Sequence, residues 1–151
     1  MRVLPSALGL LLLSSALCAQ PLTDFTPQMA DELRARLSNA DLAAGEAYFA
    51  RKCATCHDAA ADGIDFTGPL LWQVLGRPVA ARTSFSYSKA MQALQTRDMS
   101  WDYATLDYYL KDTKAALPGR AMNFSGVADA QQRADLILYL RSLSAIPQAL
   151  P

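Results

Sequence analysis

The sequence predicts an all-α domain, on three observations. Apolar residues recur at helical spacing in four places, within 41–50, 89–95, 101–111 and 129–143. No stretch shows the two-residue alternation of a half-buried strand. Between the helical pieces lie long loops marked by Gly68-Pro69, Gly76-Arg77-Pro78 and Pro118-Gly119. Neither an internal repeat nor a low-complexity tract is visible.

The first 19 residues read as an export signal. Arg2 is a minimal basic start, Leu8 to Leu13 form the apolar stretch, and Ala19 before Gln20 offers a cleavage position. An uncleaved anchor fits less well, because about a dozen apolar residues fall short of the roughly 20 a spanning helix needs. A lipid-modified Cys18 fits less well again, with Leu17 before it. Removing 19 of the 151 residues leaves 132, enough for one domain and too few for two. Arg2 leaves with them, so 13 of the 14 basic side chains face 14 acidic ones. That balance argues against nucleic acid or an anionic membrane surface as partner. Export places the mature protein in a bacterial periplasm, with no stable membrane insertion after cleavage, as a monomer.

Residues 20–40 are polar and begin with Pro21 and Pro27. Gln28 to Leu37 has the makings of a short helix, but the segment as a whole reads as a loosely attached extension. The domain proper runs from 41 to 144, followed by a tail over 145–151. Asp41 is a helix N-cap, and Leu42, Ala43, Ala47, Phe49 and Ala50 follow at helical spacing. Gly45 inside this helix costs about 1 kcal/mol against alanine, a cost that implies a second helix crossing closely. The candidate is the last helix, Asp129 to Leu143, with Leu136, Ile137, Tyr139 and Leu140 on its apolar face. Helices over Lys89 to Gln95 and Trp101 to Lys111 lie between them, the second with Thr105, Leu106, Tyr109 and Leu110 along one side. This is a meagre apolar core for so many loops.

The end of the first helix explains how such a chain holds together. Cys53-Ala54-Thr55-Cys56-His57 places two thiols three residues apart with a histidine immediately after. Three chemistries use such a group. A structural zinc site needs four nitrogen or sulfur ligands, and His57 is the one histidine while Cys53 and Cys56 are the only cysteines left after processing. A redox dithiol belongs after a strand in a βαβ unit, and here the motif follows a helix. The third is covalent attachment of a c-type haem. Each thiol adds to one vinyl group, and the histidine supplies a nitrogen to the iron. An inserted haem ring would then complete the core.

From about Asp41 to Ser144 the chain resembles a class I cytochrome c, of the branch containing mitochondrial cytochrome c and its soluble bacterial relatives. Besides the haem motif, the resemblance rests on Gly45 and Phe49, on Thr67-Gly68-Pro69 and Gly76-Arg77, and on Phe85-Ser86-Tyr87. It continues through Trp101, Tyr109, Pro118-Gly119, Met122, Phe124 and Gly126. Arg133-Ala134-Asp135-Leu136-Ile137 and Tyr139-Leu140 close it. It implies the class I fold, a small helical domain with long loops wrapped around one covalently bound haem.

The sixth iron position decides the function, and the mature chain offers Met29, Met91, Met99 and Met122. A thioether opposite histidine favours the ferrous state and closes the iron to small ligands. Met122 follows the Pro118-Gly119 turn in irregular chain, and its position matches the methionine ligand of the family. The bland reading is that it fills core space. The resemblance further implies that the Pro69 carbonyl fixes His57, that Arg77, Tyr87 and Trp101 contact the haem propionates, and that Tyr109 lies on the methionine side.

Four departures stand out. Gln73 sits where the family often has glycine, Arg120 where it commonly has threonine, and Thr113 where proline is usual. The stretch from Lys89 to Ser100 is a few residues longer than in the mitochondrial type. The surface differs too. Only Lys52, Lys89, Lys111 and Lys114 are lysines, and Arg82, Arg97 and Arg120 are opposed by Asp58, Asp62, Asp65 and Asp112. Electrostatic steering toward partners is therefore expected to be weak.

The expected function is one-electron transfer between a redox-protein donor and acceptor by transient docking, without enzymatic bond-making. The alternatives are a haem protein with an open or labile sixth site, for small-ligand binding or peroxidatic chemistry, and a dedicated cytochrome subunit of a periplasmic oxidoreductase.

Overall fold

A computed structural model describes residues 20–151; the expected export signal, with Cys18, lies outside the described residues. Six α-helices follow in order: α1 Asp31–Ser38, α2 Leu42–Lys52, α3 Lys89–Ala93, α4 Tyr103–Lys111, α5 Thr113–Ala116 and α6 Ala130–Ser142. A 3-10 turn, Leu94–Arg97, extends α3. Among the described residues there is no strand, only an isolated antiparallel bridge between Pro78 and Ser100.

Aspartates cap four of the six helices. Asp41 accepts from the backbone N–H groups of Ala43 and Ala44, Asp102 from Thr105, Asp112 from Lys114 and Ala115, and Asp129 from Gln132. Each satisfies donors that the first helical turn leaves unpaired. Asp102 places the α4 start at Tyr103, so Trp101 stands before the helix rather than in it.

The α2–α6 crossing is the largest helix–helix contact. Gly45 makes it possible, because a Cβ there would lie 2.0 Å from the Asp135 carbonyl oxygen and 2.6 Å from its carbon. Phe49 and Tyr139 meet across the crossing with ring centroids 5.2 Å apart. The Asp41 N–H donates to Asp135 Oδ1 at 3.0 Å. Leu136, Ile137 and Leu140 of α6 are buried beneath it.

The segment before residue 41 is not loosely attached, which corrects the expectation. Leu22 is fully buried, and its N–H donates to the Ala116 carbonyl at 2.8 Å. Phe25 packs on Tyr108 with centroids 5.2 Å apart, and the Tyr108 hydroxyl donates to the Gln20 carbonyl at 2.6 Å. In α1, Leu33 and Leu37 stand four residues apart and are both buried, with α1 packed on α6. Asp107 of α4 ties these parts together, 2.8 Å from the buried Arg133 and 3.7 Å from Arg36 of α1. The tail also returns to the domain: Tyr103 donates to the Ala149 carbonyl at 2.9 Å and Arg141 to that of Gln148 at 2.6 Å.

Gln73 takes φ 56°, in the left-handed region that costs ordinary residues about 1–2 kcal/mol. Its N–H donates to the Leu143 carbonyl at 2.6 Å, which fixes the loop against the end of α6. The glycine common at this position in the family has a physical reason here.

Candidate haem site

One cavity, of about 360 Å³, opens between α2, α4, α6 and the loops that join them. Cys53, Cys56, His57, Pro69, Arg77, Tyr87, Trp101, Tyr109 and Met122 all line it. The expected site residues, drawn from 70 positions of sequence, are thus brought to one place.

The thiols stand where α2 gives way to a turn. Cys53 caps the helix, its N–H donating to Phe49 O, and the N–H groups of Cys56 and His57 both reach back to the Cys53 carbonyl at 3.0 Å. Both cysteines are half-buried and unpaired. Burial, then the neighbouring Cys56, pushes the Cys53 thiol up to about 11, so before any attachment it is held as a thiol.

His57 is prepared as a metal donor by its own loop. Its Nδ1 lies 2.7 Å from the Pro69 carbonyl oxygen. A carbonyl only accepts, so Nδ1 carries the proton. Burial lowers the imidazole pKa, outweighing the Pro69 hydrogen bond, and the Arg77 charge adds to the lowering. The ring is therefore neutral near pH 7, and Nε2 is left with its lone pair. Gly68 gives the ring room: a Cβ there would lie 2.3 Å from His57 Cε1.

The loop bearing Pro69 is braced from outside the cavity. Asp65 Oδ1 accepts from Arg82 Nε and from the Leu70 N–H, both at 2.7 Å, and Asp65 Oδ2 accepts from the Ser84 hydroxyl at 2.6 Å. The Arg82 hydrogen bond above all holds the Asp65 carboxyl well below the usual carboxylate range. These two residues entered the sequence reading as opposed surface charges; in the fold each neutralises the other.

Arg77 donates to the carbonyls of Leu70 at 2.9 Å and Trp72 at 3.3 Å, and burial lowers its pKa. Two of its five N–H groups are thereby spent on the loop, leaving three for a ligand. Tyr87 shares this wall, its hydroxyl pKa raised by burial and opposed by the Arg77 charge. Trp101 and Tyr109 pack together with centroids 5.2 Å apart. Burial pushes the Tyr109 hydroxyl up to about 12, against a lowering by Arg120.

Of the four candidate methionines, Met122 and Met91 line the cavity. Met99 is buried in the apolar core, and Met29 packs on that core from the N-terminal segment. Arg120 also lines the cavity. Sequence reasoning noted it as a departure but gave it no place in the site.

The donor set fits a covalently held haem. Two thiols and a neutral imidazole share one wall, a thioether is available, and the cavity between them is mostly apolar, with cationic and phenolic donors along its edge.

Comparison with known proteins agrees. The family model described as Cytochrome c matches residues 42–144. Cytochrome c of Chlamydomonas reinhardtii is 40% identical over 105 residues, covering 70% of this chain and 91% of the relative. Cytochrome c2 of Rhodomicrobium vannielii is 38% identical over 96 residues, covering 64% and 74%. The Rickettsia bellii cytochrome c homologue is longer: 40% identity extends over 93 residues, or 62% of this chain and 52% of the homologue. Among solved structures, cytochrome cH from Methylobacterium extorquens superposes with a TM-score of 0.61 at 33% identity, covering 68% of this chain and 99% of that one. With thiols, imidazole and fold in agreement, the chain belongs to the cytochrome c family, as a class I c-type cytochrome with one haem c held through Cys53 and Cys56.

Proposed function

We propose that this cytochrome is a periplasmic one-electron carrier, in which His57 and Met122 would ligate the haem iron, with no bond-making activity of its own. The observation that carries the proposal is the pairing of a neutral, Nδ1-protonated His57 with a cavity-lining Met122. Haem supplies a centre that accepts and returns one electron.

The chain's own residues do the rest. The Pro69 carbonyl holds the His57 proton on Nδ1 and makes Nε2 a stronger donor. The Met122 thioether would favour the reduced state and keep other ligands from the iron. Arg77, Tyr87 and Trp101 offer donors to the propionates, which would be costly to bury unpaired. Trp101, Leu106, Tyr109 and Leu136 exclude water from the cavity. The partners are a redox-protein donor and acceptor, met by transient docking. Arg82 is committed to Asp65, which takes one cation away from steering.

The visible spectrum of the oxidised, haem-loaded protein tests the assignment. An iron–methionine sulfur bond gives a weak far-red band, expected here and expected to vanish in Met122→Ala while persisting in Met91→Ala. A wild type without the band, whose ferrous form binds carbon monoxide readily, would replace the carrier with an open-site haem protein.

A further inference from the structure

The segment that carries Met122 has almost no backbone support. Among the described residues, none of the N–H groups of 121–124 donates to another backbone group. The chain leaves α5 through Gly119 at φ 82°, and the Arg120 N–H closes a turn on the Leu117 carbonyl at 3.1 Å. Regular pairing resumes only beyond Phe124, where Ser125 O accepts from the Thr113 N–H and the Val127 N–H donates to Leu110 O.

Side chains bridge the gap. Arg120 Nε donates to Thr113 Oγ1 at 2.7 Å, and the Thr113 hydroxyl in turn donates to the Phe124 carbonyl. Arg120 Nη2 points at that same carbonyl from 3.4 Å. The triangle grips the segment two residues before Met122 and two residues after it. Its corner on the body of the domain, Thr113, is fully buried as the first residue of α5. The hydroxyl couples the two members, being both acceptor for Arg120 and donor to Phe124. A proline at position 113 could not form it, since proline offers no hydroxyl.

We propose that Arg120 and Thr113 form a coupled pair that holds Met122 at the sixth coordination position, Arg120 being a positioning residue and not a ligand. This rests on Met122 being that ligand.

The test is imidazole binding to the ferric, haem-loaded full-length protein, followed by its visible spectrum. Imidazole enters only when Met122 has left, so its apparent dissociation constant is the intrinsic one divided by the fraction of open molecules. Thr113→Val keeps the shape and removes the hydroxyl; Arg120→Leu keeps an apolar stem and removes the donors. Each is expected to bind imidazole about tenfold more tightly than wild type, the weight of one charged hydrogen bond. The double variant is expected to match the stronger single effect within about twofold, because both remove the same unit. Thr113→Ser, with the hydroxyl restored, is expected to bind as wild type does.

Variants that unfold at lower urea yet bind imidazole as wild type does would reduce the pair to ordinary stabilisation and overturn the proposal. So would effects that multiply in the double variant. If the wild type already binds imidazole as an open site and lacks the far-red band, the ligand reading fails and takes this proposal with it. If the band is present and the variants are silent, the pairing alone fails.

Discussion

Gly45→Ala sets two effects of opposite sign against each other. In an exposed helix the substitution would stabilise by about 1 kcal/mol, since alanine loses less backbone freedom than glycine. Here the new methyl carbon would sit 2.0 Å from the Asp135 carbonyl oxygen, 2.6 Å from its carbon and 3.0 Å from Tyr139 Cβ. Ordinary contact begins near 3.4 Å, so α2 and α6 would have to separate by more than about 1 Å, and the obstacle is backbone that no rotamer change can move. Overpacking of this kind costs about 3 kcal/mol at the upper end of its usual range. The net expectation is a loss of about 2 kcal/mol. For a domain of this size that lowers the melting temperature by about 7 °C. The shift should also reach the cavity, because Leu136 and Leu140 line it from α6. Thermal and urea unfolding of the haem-loaded protein, wild type against variant, is the assay. An unchanged or raised melting temperature would mean that helix propensity governs this position, and the close crossing would no longer explain the glycine.

Four further outcomes are expected. Gln73→Gly relieves a residue at φ 56° and should stabilise by about 0.5–1 kcal/mol in urea unfolding, where a destabilisation would count against strain at that turn. Asp65 has a folded-state pKa below its unfolded value, so its contribution is present above about pH 4 and is lost as pH falls through the folded value. The stability gap between wild type and Asp65→Asn, clear at pH 7, should therefore begin to narrow below about pH 4 and keep narrowing to the lowest pH at which the protein stays folded; a gap independent of pH would contradict the Arg82 pairing. Leu22→Ala should cost about 2–5 kcal/mol, as for other fully buried leucines, and a neutral result would return residues 20–40 to the status of a loose extension. Reduction by an anionic inorganic reductant should change less than about threefold between roughly 20 and 200 mM salt, because screening acts on a surface with little net field; a steeper fall would reveal a cationic docking patch.

Local signals made the helices and the haem attachment legible. The Asp41 cap, the single glycine in α2 and the five-residue Cys-His motif each carry their meaning within a few positions. Most of the missed features are relations between residues far apart in sequence. In α1, Leu33 and Leu37 become a core face only because α6 lies beneath them, and eight residues of mostly polar sequence do not announce that. Asp65 and Arg82 are separated by 17 positions of loop, with no periodicity to join them. Arg120 and Thr113 each stood out as unusual, but nothing in their spacing said that one departure answers the other. The left-handed turn at Gln73 was hidden because glutamine, unlike glycine, does not advertise it.

The order in which the site is completed along the chain has a consequence for biogenesis. Both thiols and the imidazole lie within five consecutive residues, so covalent attachment asks nothing of the tertiary fold and can take place on an extended chain. The α2–α6 crossing closes only when residues some 90 positions apart meet, a contact of high sequence separation and correspondingly slow to form. A ring already tethered at Cys53 and Cys56 would travel with α2 and offer the later segments an apolar surface on which to condense. Attachment first and closure second is the sequence of events this topology favours, and the final step is the seating of a methionine loop that has no ladder to guide it.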